Sequence, residues 1–282
     1  MPSNPGESLP GVSETALGAA EMRAEESLRP DRLFADPYAT AFVDAAPPLF
    51  PDLPSIDGDP ALADLKEEFV TAVAIRTRFC DDYLTAACAA GCRQVVLLAA
   101  GLDTRAFRLD WPANVRLFEI DLPELFAFKE AVLGRHGAQP RCSRTAVAVD
   151  LRDDWPQRLR GAGFDPRRPS AWTAEGLLPY LSGRDAARLL EAVGELSDAG
   201  SRLSFDFDEF ADDSMLSALR AEPAMAGVAS MWEGGLGEQP VEWMRAHDWL
   251  VTTRDRAAVA TSYGRRLADP TGGFLEATRR SV

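Results

Sequence analysis

Asp103, Asp121, Asp150 and Glu175 each stand at or just past the end of an apolar run of strand length. The first such run reads Val95-Val96-Leu97-Leu98-Ala99-Ala100-Gly101-Leu102-Asp103-Thr104-Arg105, a strand that stops in a turn of small residues. In open α/β proteins, that first strand-to-helix turn is where an adenosine-bearing ligand lies against backbone. A dinucleotide would need G-x-G-x-x-G there, to bring amide groups and a helix N-terminus to its pyrophosphate. Here the second and third glycines are missing and Asp103 adds a charge that repels pyrophosphate. The turn suits a phosphate-free ligand with a cationic amino-acid end, and S-adenosylmethionine (SAM) is such a ligand. That argues for a methyltransferase over an NAD(P)-dependent oxidoreductase; a SAM-binding protein without catalysis is the third reading.

The remaining carboxylates fit the same ligand. Asp121 stands twenty positions beyond Gly101, a spacing at which an acidic residue accepts hydrogen bonds from both ribose hydroxyls. Asp150 can accept from the adenine amine, with Leu151 supplying its backbone amide and an apolar contact. Glu175 can meet the methionyl ammonium or cap the helix that follows. Asp103 has the alternatives of pairing with Arg105 or holding the turn. A carboxylate on the ligand needs a cation, and a guanidinium binds it bidentately. Arg76, in Arg76-Thr77-Arg78-Phe79, is the candidate, with Arg78 as its rival.

Methyl transfer from a sulfonium is an in-line displacement by an activated donor, so the protein mainly supplies proximity and alignment. An ionised carboxylate acceptor needs no base, whereas a phenol or alcohol benefits from one. Neither histidine sits in a motif that brings it to the donor. His136 reads as an exposed loop residue, and His247 could face the acceptor. The expected acceptor is therefore the carboxylate of a small molecule or natural-product acid. Met215, Met225, Met231, Trp232 and Trp243 suggest an apolar, adaptable pocket for it, or packing of a cap on the sheet.

The elements that must position these groups alternate. A helix is expected over residues 14–28, a wrapping segment over 31–60, and a long helix over 61–90 with apolar residues at three- and four-residue steps. Strands are expected at 94–100, 116–121, 144–150, 170–175 and 202–207. Helices fall between them, one opened by Pro123 and one by Ser182-x-x-Asp185. Four β–α steps in about 115 residues argue for a doubly wound, mostly parallel sheet. Residues 249–254 and 274–279 are strand-like, and 212–225 read as helical. Three parts follow: a tail and lid over 1–60, a core over 61–207, and a cap with terminal strands over 208–282.

Composition bounds the partners. The formal net charge of −14 repels phosphates and anionic lipid, which argues against nucleic acid and membrane partners. The N-terminal residues do not read as a signal peptide and no apolar run is long enough to span a bilayer, so the expected location is cytoplasmic. Cys80, Cys88, Cys92 and Cys142 form no C-x-x-C and read as reduced packing residues, with no metal site. Nothing in the chain sets its oligomeric state.

Taken together, the segments Ser13-Glu14-Thr15-Ala16-Leu17, Phe34-Ala35-Asp36-Pro37-Tyr38, Arg76-Thr77-Arg78-Phe79, Ala100-Gly101-Leu102-Asp103-Thr104-Arg105, Phe118-Glu119-Ile120-Asp121-Leu122-Pro123, Val149-Asp150-Leu151 and Ala174-Glu175-Gly176-Leu177-Leu178-Pro179-Tyr180-Leu181 resemble, in order and spacing, the bacterial branch of the leucine carboxyl methyltransferase family. The resemblance implies a Rossmann-like class I methyltransferase with a seven-stranded sheet and a helical cap. It implies SAM as cofactor, S-adenosylhomocysteine as product, and methyl transfer to oxygen, often of a carboxylate. It puts Arg76 and Gly101 at the methionyl end, Asp121 at the ribose, Asp150 and Leu151 at the adenine, Glu175 beneath the donor and Tyr180 near the acceptor. The segment before Asp36 would form part of a lid. Two departures stand out: Ala99 and Asp248 occupy positions where the family usually has glycine. If the turn at Ala99 needs positive φ, alanine costs roughly 1 kcal/mol or more there.

Overall fold

The computed structural model describes residues 11–46, 60–207, 233–237, 239–268 and 271–281. The methionine and tryptophan positions 215, 225, 231 and 232, and the helix expected over 212–225, lie outside them. Helices α1 (Gly11–Leu28), α2 (Ala39–Ala45) and α3 (Pro60–Ala89) precede the first strand. Then come β1 (Gln94–Leu98), α4 (Arg105–Arg108), β2 (Arg116–Asp121), α5 (Pro123–Arg135), β3 (Ser143–Ala148), α6 (Trp155–Gly161) and β4 (Ser170–Ala174). One 3-10 turn (Leu178–Tyr180), α7 (Gly183–Glu195) and β5 (Arg202–Phe207) follow, and α8 (Pro240–Ala246), β6 (Trp249–Asp255), α9 (Arg256–Ser262) and β7 (Gly273–Arg279) complete the described chain.

The strands form one seven-stranded sheet in the order β3-β2-β1-β4-β5-β7-β6. Only β7 runs against the rest, antiparallel to both β5 and β6. The order reverses between β1 and β4, so the carboxyl ends of β1, β2 and β4 border one crevice, the place where such sheets bind ligands. β1 shows why its sequence is apolar throughout. Val95 and Leu97 face a core built with Tyr83, Leu84, Ala87 and Cys88 of α3 and Leu125 and Val132 of α5. Val96 and Leu98 face a second core with Trp155 and Leu159 of α6 and Leu189, Leu190 and Val193 of α7. A strand covered on both faces has no polar side to show.

The periodicity-derived elements sit close to where they were expected, and their ends shift for local reasons. β1 stops at Leu98 because Ala99 turns into left-handed backbone at φ +49°. α7 starts after Ser182, whose hydroxyl accepts from the Asp185 amide at 3.2 Å while donating to the Asp185 carboxylate at 2.8 Å, and it closes at Leu196, before Gly200. The short helices α4, α8 and α9 carry too few turns to leave a period. The four cysteines stand unpaired with one another, and Cys80, Cys88 and Cys92 are buried. No described helix is long and apolar enough to cross a membrane.

Candidate active site

The crevice is a cleft walled by the β1 turn (Ala99 to Arg105), the ends of β2 and β4, the face of α3 at Arg76 and Thr77, and α1 at Thr15, Ala16 and Arg23. Of the residues expected from sequence, Arg76, Gly101, Asp103, Asp121, Glu175 and Tyr180 all line it.

The turn is built from left-handed backbone, which is strained at Ala99 and free of strain at Gly101. Ala99 and Gly101 both have positive φ, +49° and +52°, and a Cβ on Gly101 would lie 3.4 Å from the Ala16 Cβ of α1. Asp121 ties this turn to the next strand: one of its oxygens accepts from the Gly101 amide at 2.6 Å, the other from the Leu122 amide at 2.7 Å. Each oxygen keeps a second lone pair for a ligand donor. Burial pushes the Asp121 carboxyl above its ordinary pKa, and the two amide bonds only partly offset that.

Beneath the turn lies an ion network centred on Arg105, which is 3% exposed and would be prohibitively costly if unpaired. Its Nε donates to Asp81 at 2.7 Å, its Nη1 contacts Glu175 at 2.8 Å and also bonds Asp103, and its Nη2 donates to the Thr77 carbonyl at 3.1 Å. Asp103 also accepts from the Arg105 amide at 2.6 Å. Asp103, expected against the cationic ligand or paired with Arg105, lines the cleft with both its oxygens engaged by Arg105. Arg76 contacts Glu175 at 3.3 Å and Asp206 at 3.6 Å. Desolvation opposes the charge on Arg76, yet Asp206 and Glu175 hold its pKa above the ordinary guanidinium value. Desolvation likewise opposes ionisation of Glu175 and Asp103, and neighbouring guanidinium groups, Arg105 first, pull both carboxyls below their usual range. Arg78 turns away, to Asp82 and the Leu33 carbonyl.

Asp150 and Leu151 sit along the same sheet edge, past the end of β3, but outside the lining of the cleft. Asp150 is held by Arg152 through contacts of 2.6–3.1 Å, and Leu151 lines a separate depression between α6 and α7. His247 is a correction. It precedes β6, and because β7 runs antiparallel to both β5 and β6, the start of β6 lies at the amino-terminal edge of the sheet, opposite the cleft. There its ring stacks on Trp243 at 3.7 Å and its Nδ1 lies 2.7 Å from the Trp243 carbonyl. Trp243 therefore also sits away from the cleft. His136 follows α5 at that same edge and is exposed.

Three contributors were missed by the reading of the sequence. Asp206 sits near the end of β5 and accepts from the Gly176 amide at 2.6 Å; it is a fifth strand-end carboxylate and repeats the pattern of the other four. Asp81 lies one helical turn beyond Thr77, on the α3 face that reaches the cleft. Arg105 was visible only as a partner for Asp103.

The leucine carboxyl methyltransferase profile matches residues 16–194. A Frankia alni protein that carries the name S-adenosyl-L-methionine-dependent methyltransferase is 50% identical over 279 residues, covering 96% of this chain and 95% of that protein. The chain belongs to the leucine carboxyl methyltransferase family. A Streptomyces coelicolor protein named in the same way is 41% identical over 276 residues, covering 96% of each chain. The fold is shared with a methyltransferase structure from Thermobifida fusca (TM-score 0.50, 18% identity, 93% of this chain and 94% of that one). It is also shared with a Bordetella parapertussis structure (TM-score 0.52, 16% identity, 95% and 97%). This methyltransferase is an enzyme that uses SAM.

The cleft suits that cofactor on its own chemistry. It offers glycine where a ligand must approach backbone, carboxylate lone pairs at Asp121, and an Arg76–Glu175 pair whose two charges match those of an amino-acid zwitterion. A Cβ on Gly176 would come within 3.1–3.3 Å of the Arg76 guanidinium, so this glycine gives Arg76 its place at that end.

Proposed function

We propose that this methyltransferase esterifies the carboxylate of a small organic acid, a natural-product acid in particular. One observation supports this most: the chain has only two histidines, and both stand at the sheet edge opposite the cleft. The described carboxylates that line the cleft are engaged by arginine or backbone amides. An acceptor already ionised at pH 7 fits such a site, because it needs no proton removed.

SAM, when bound, supplies a methyl group on a sulfonium. The residues to hold it are Arg76 for its carboxylate, Glu175 for its ammonium and Asp121 for its ribose hydroxyls, with Gly101 allowing close backbone approach. Asp150 and Leu151 extend the site along the sheet edge toward the adenine amine. Arg105 and Asp103 keep Glu175 and the turn in place, and Tyr180 borders the acceptor side. The protein's contribution is alignment of two reactants in a cleft partly closed by α1.

The test uses SAM carrying an isotopically labelled methyl group and a panel of hydroxy acids, aromatic acids and phenols. Label that is released as methanol by mild base is the expected result. Label that stays on the product through base treatment marks an ether and overturns the carboxylate assignment.

A further inference from the structure

Tyr180 is carried by a single 3-10 turn, Leu178–Tyr180. One turn makes too few bonds of its own to be rigid, so its position must be set by neighbours. Upstream, the Gly176 amide is tied to Asp206. On the other side the turn is clasped by residues remote in sequence. The Glu233 and Gly234 amides both donate to the Pro179 carbonyl, at 2.8 and 3.2 Å, and the Gly235 amide donates to the Leu181 carbonyl at 2.9 Å. The carbonyls on either side of Tyr180 are thus satisfied by one short segment.

Gly235 is where this clasp tolerates no side chain. Its φ is +57°, and a Cβ there would stand 2.9 Å from the Leu178 carbonyl oxygen and 3.1 Å from its carbon. Both are backbone atoms of the turn, so nothing flexible can yield. The contact is closed from the far side by Gly183, whose added Cβ would meet the Gly235 carbonyl at 3.2 Å. The glycines flanking Gly235 differ: Gly234 and Gly237 also have positive φ, +93° and +70°, but an added Cβ would meet nothing within 4 Å.

We infer that Gly235 is a positioning residue: its backbone contact with Leu178 sets where Tyr180 stands in the cleft. The structural claim is independent of the reaction; its consequence for acceptor alignment rests on the carboxylate-methylating role proposed above.

The chain has four tyrosines, so 3-fluorotyrosine labelling of the full chain gives a tractable fluorine spectrum, with Tyr180→Phe identifying the Tyr180 line. Gly235→Ala is expected to move that line by more than its width while the lines of Tyr38, Tyr83 and Tyr263 stay put. Gly237→Ala, equally strained in backbone but facing open space, is expected to leave all four unchanged. Should Gly235→Ala fail to fold, Gly183→Ala presses on the same contact and is expected to move the Tyr180 line alone. A Tyr180 line unmoved by Gly235→Ala, or by Gly183→Ala in its stead, overturns the inference, as does an equal shift from Gly237→Ala. The acceptor assay with labelled SAM separates the two readings. If the wild type transfers labelled methyl to a phenol and not to an acid while Gly235→Ala still moves the Tyr180 line, the clasp stands and the carboxylate-methylating role fails.

Discussion

Ala99 occupies left-handed backbone at φ +49° in the wall of the cleft. An L-residue pays roughly 1–2 kcal/mol for that conformation, and glycine avoids it at an entropic cost of about 0.5–1 kcal/mol. Ala99→Gly should therefore raise stability by up to about 1 kcal/mol, read as a higher urea midpoint at unchanged slope. Arg105 carries the opposite stake. With its guanidinium gone, Asp103 and Glu175 each lose a partner and Asp81 keeps only Arg108. Arg105→Met should cost about 3–5 kcal/mol, the usual result of breaking a buried ion pair from one side. Equilibrium unfolding of the variant checks it. The sequence showed these residues unequally. Strand-end carboxylates were legible because a strand's end can be read from where its apolar run stops. The partners of Asp103 and Glu175 were not, because Asp81 and Arg105 meet only when α3 packs on the β1 turn.

At the scale of elements, α1 is held over the cleft by Arg23, whose Nη2 donates to the Leu102 carbonyl at 2.8 Å and whose Nε donates to Asp36 at 3.0 Å. One turn further on, Glu26 accepts from Arg265 at 3.1 Å. Charge-assisted bonds of this kind are worth about 1.5–3 kcal/mol each. Arg23→Ala should speed amide hydrogen exchange across α1 by about tenfold or more, while β1, β2 and β4 keep their protection. Equal loss of protection in the sheet would mean that α1 is not a separately opening element. The alternation of β and α was readable because each strand's apolar run and each helix's period survive in one dimension. The direction of β7 was not, since an antiparallel return leaves no mark on a strand's own composition. That one reversal leaves β6 parallel to β5 and removes His247 from the cleft. Asp248, just before β6, stands in left-handed backbone at φ +63°, and aspartate is among the residues that tolerate it best.

For the molecule as a whole, the carboxylates of the cleft set an acid limit. Asp103 and Glu175 are held below their ordinary values of 3.8 and 4.5 in the folded chain. Groups depressed in this way contribute stability that is present above the unfolded pKa and is lost as pH falls through the folded one. Asp121 is shifted upward and has the reverse sign, favouring the folded state at low pH and giving that up as pH rises through its folded pKa. With two depressed groups against one raised, the melting temperature should fall as pH drops below about 4.5. In Arg105→Met that fall should be shallower. A profile equally steep in both proteins would mean that Arg105 does not hold these carboxyls down.

We propose above that the cleft at the ends of β1, β2 and β4 binds SAM through Asp121. Titration calorimetry with S-adenosylhomocysteine, on the wild type and on Asp121→Asn, tests it most directly. Saturable binding to the wild type is expected, weakened by roughly tenfold or more in the variant, because a hydroxyl bonded to a charged acceptor is worth about 1.5–3 kcal/mol. Absence of binding to the folded wild type, or equal affinity in the variant, would contradict it.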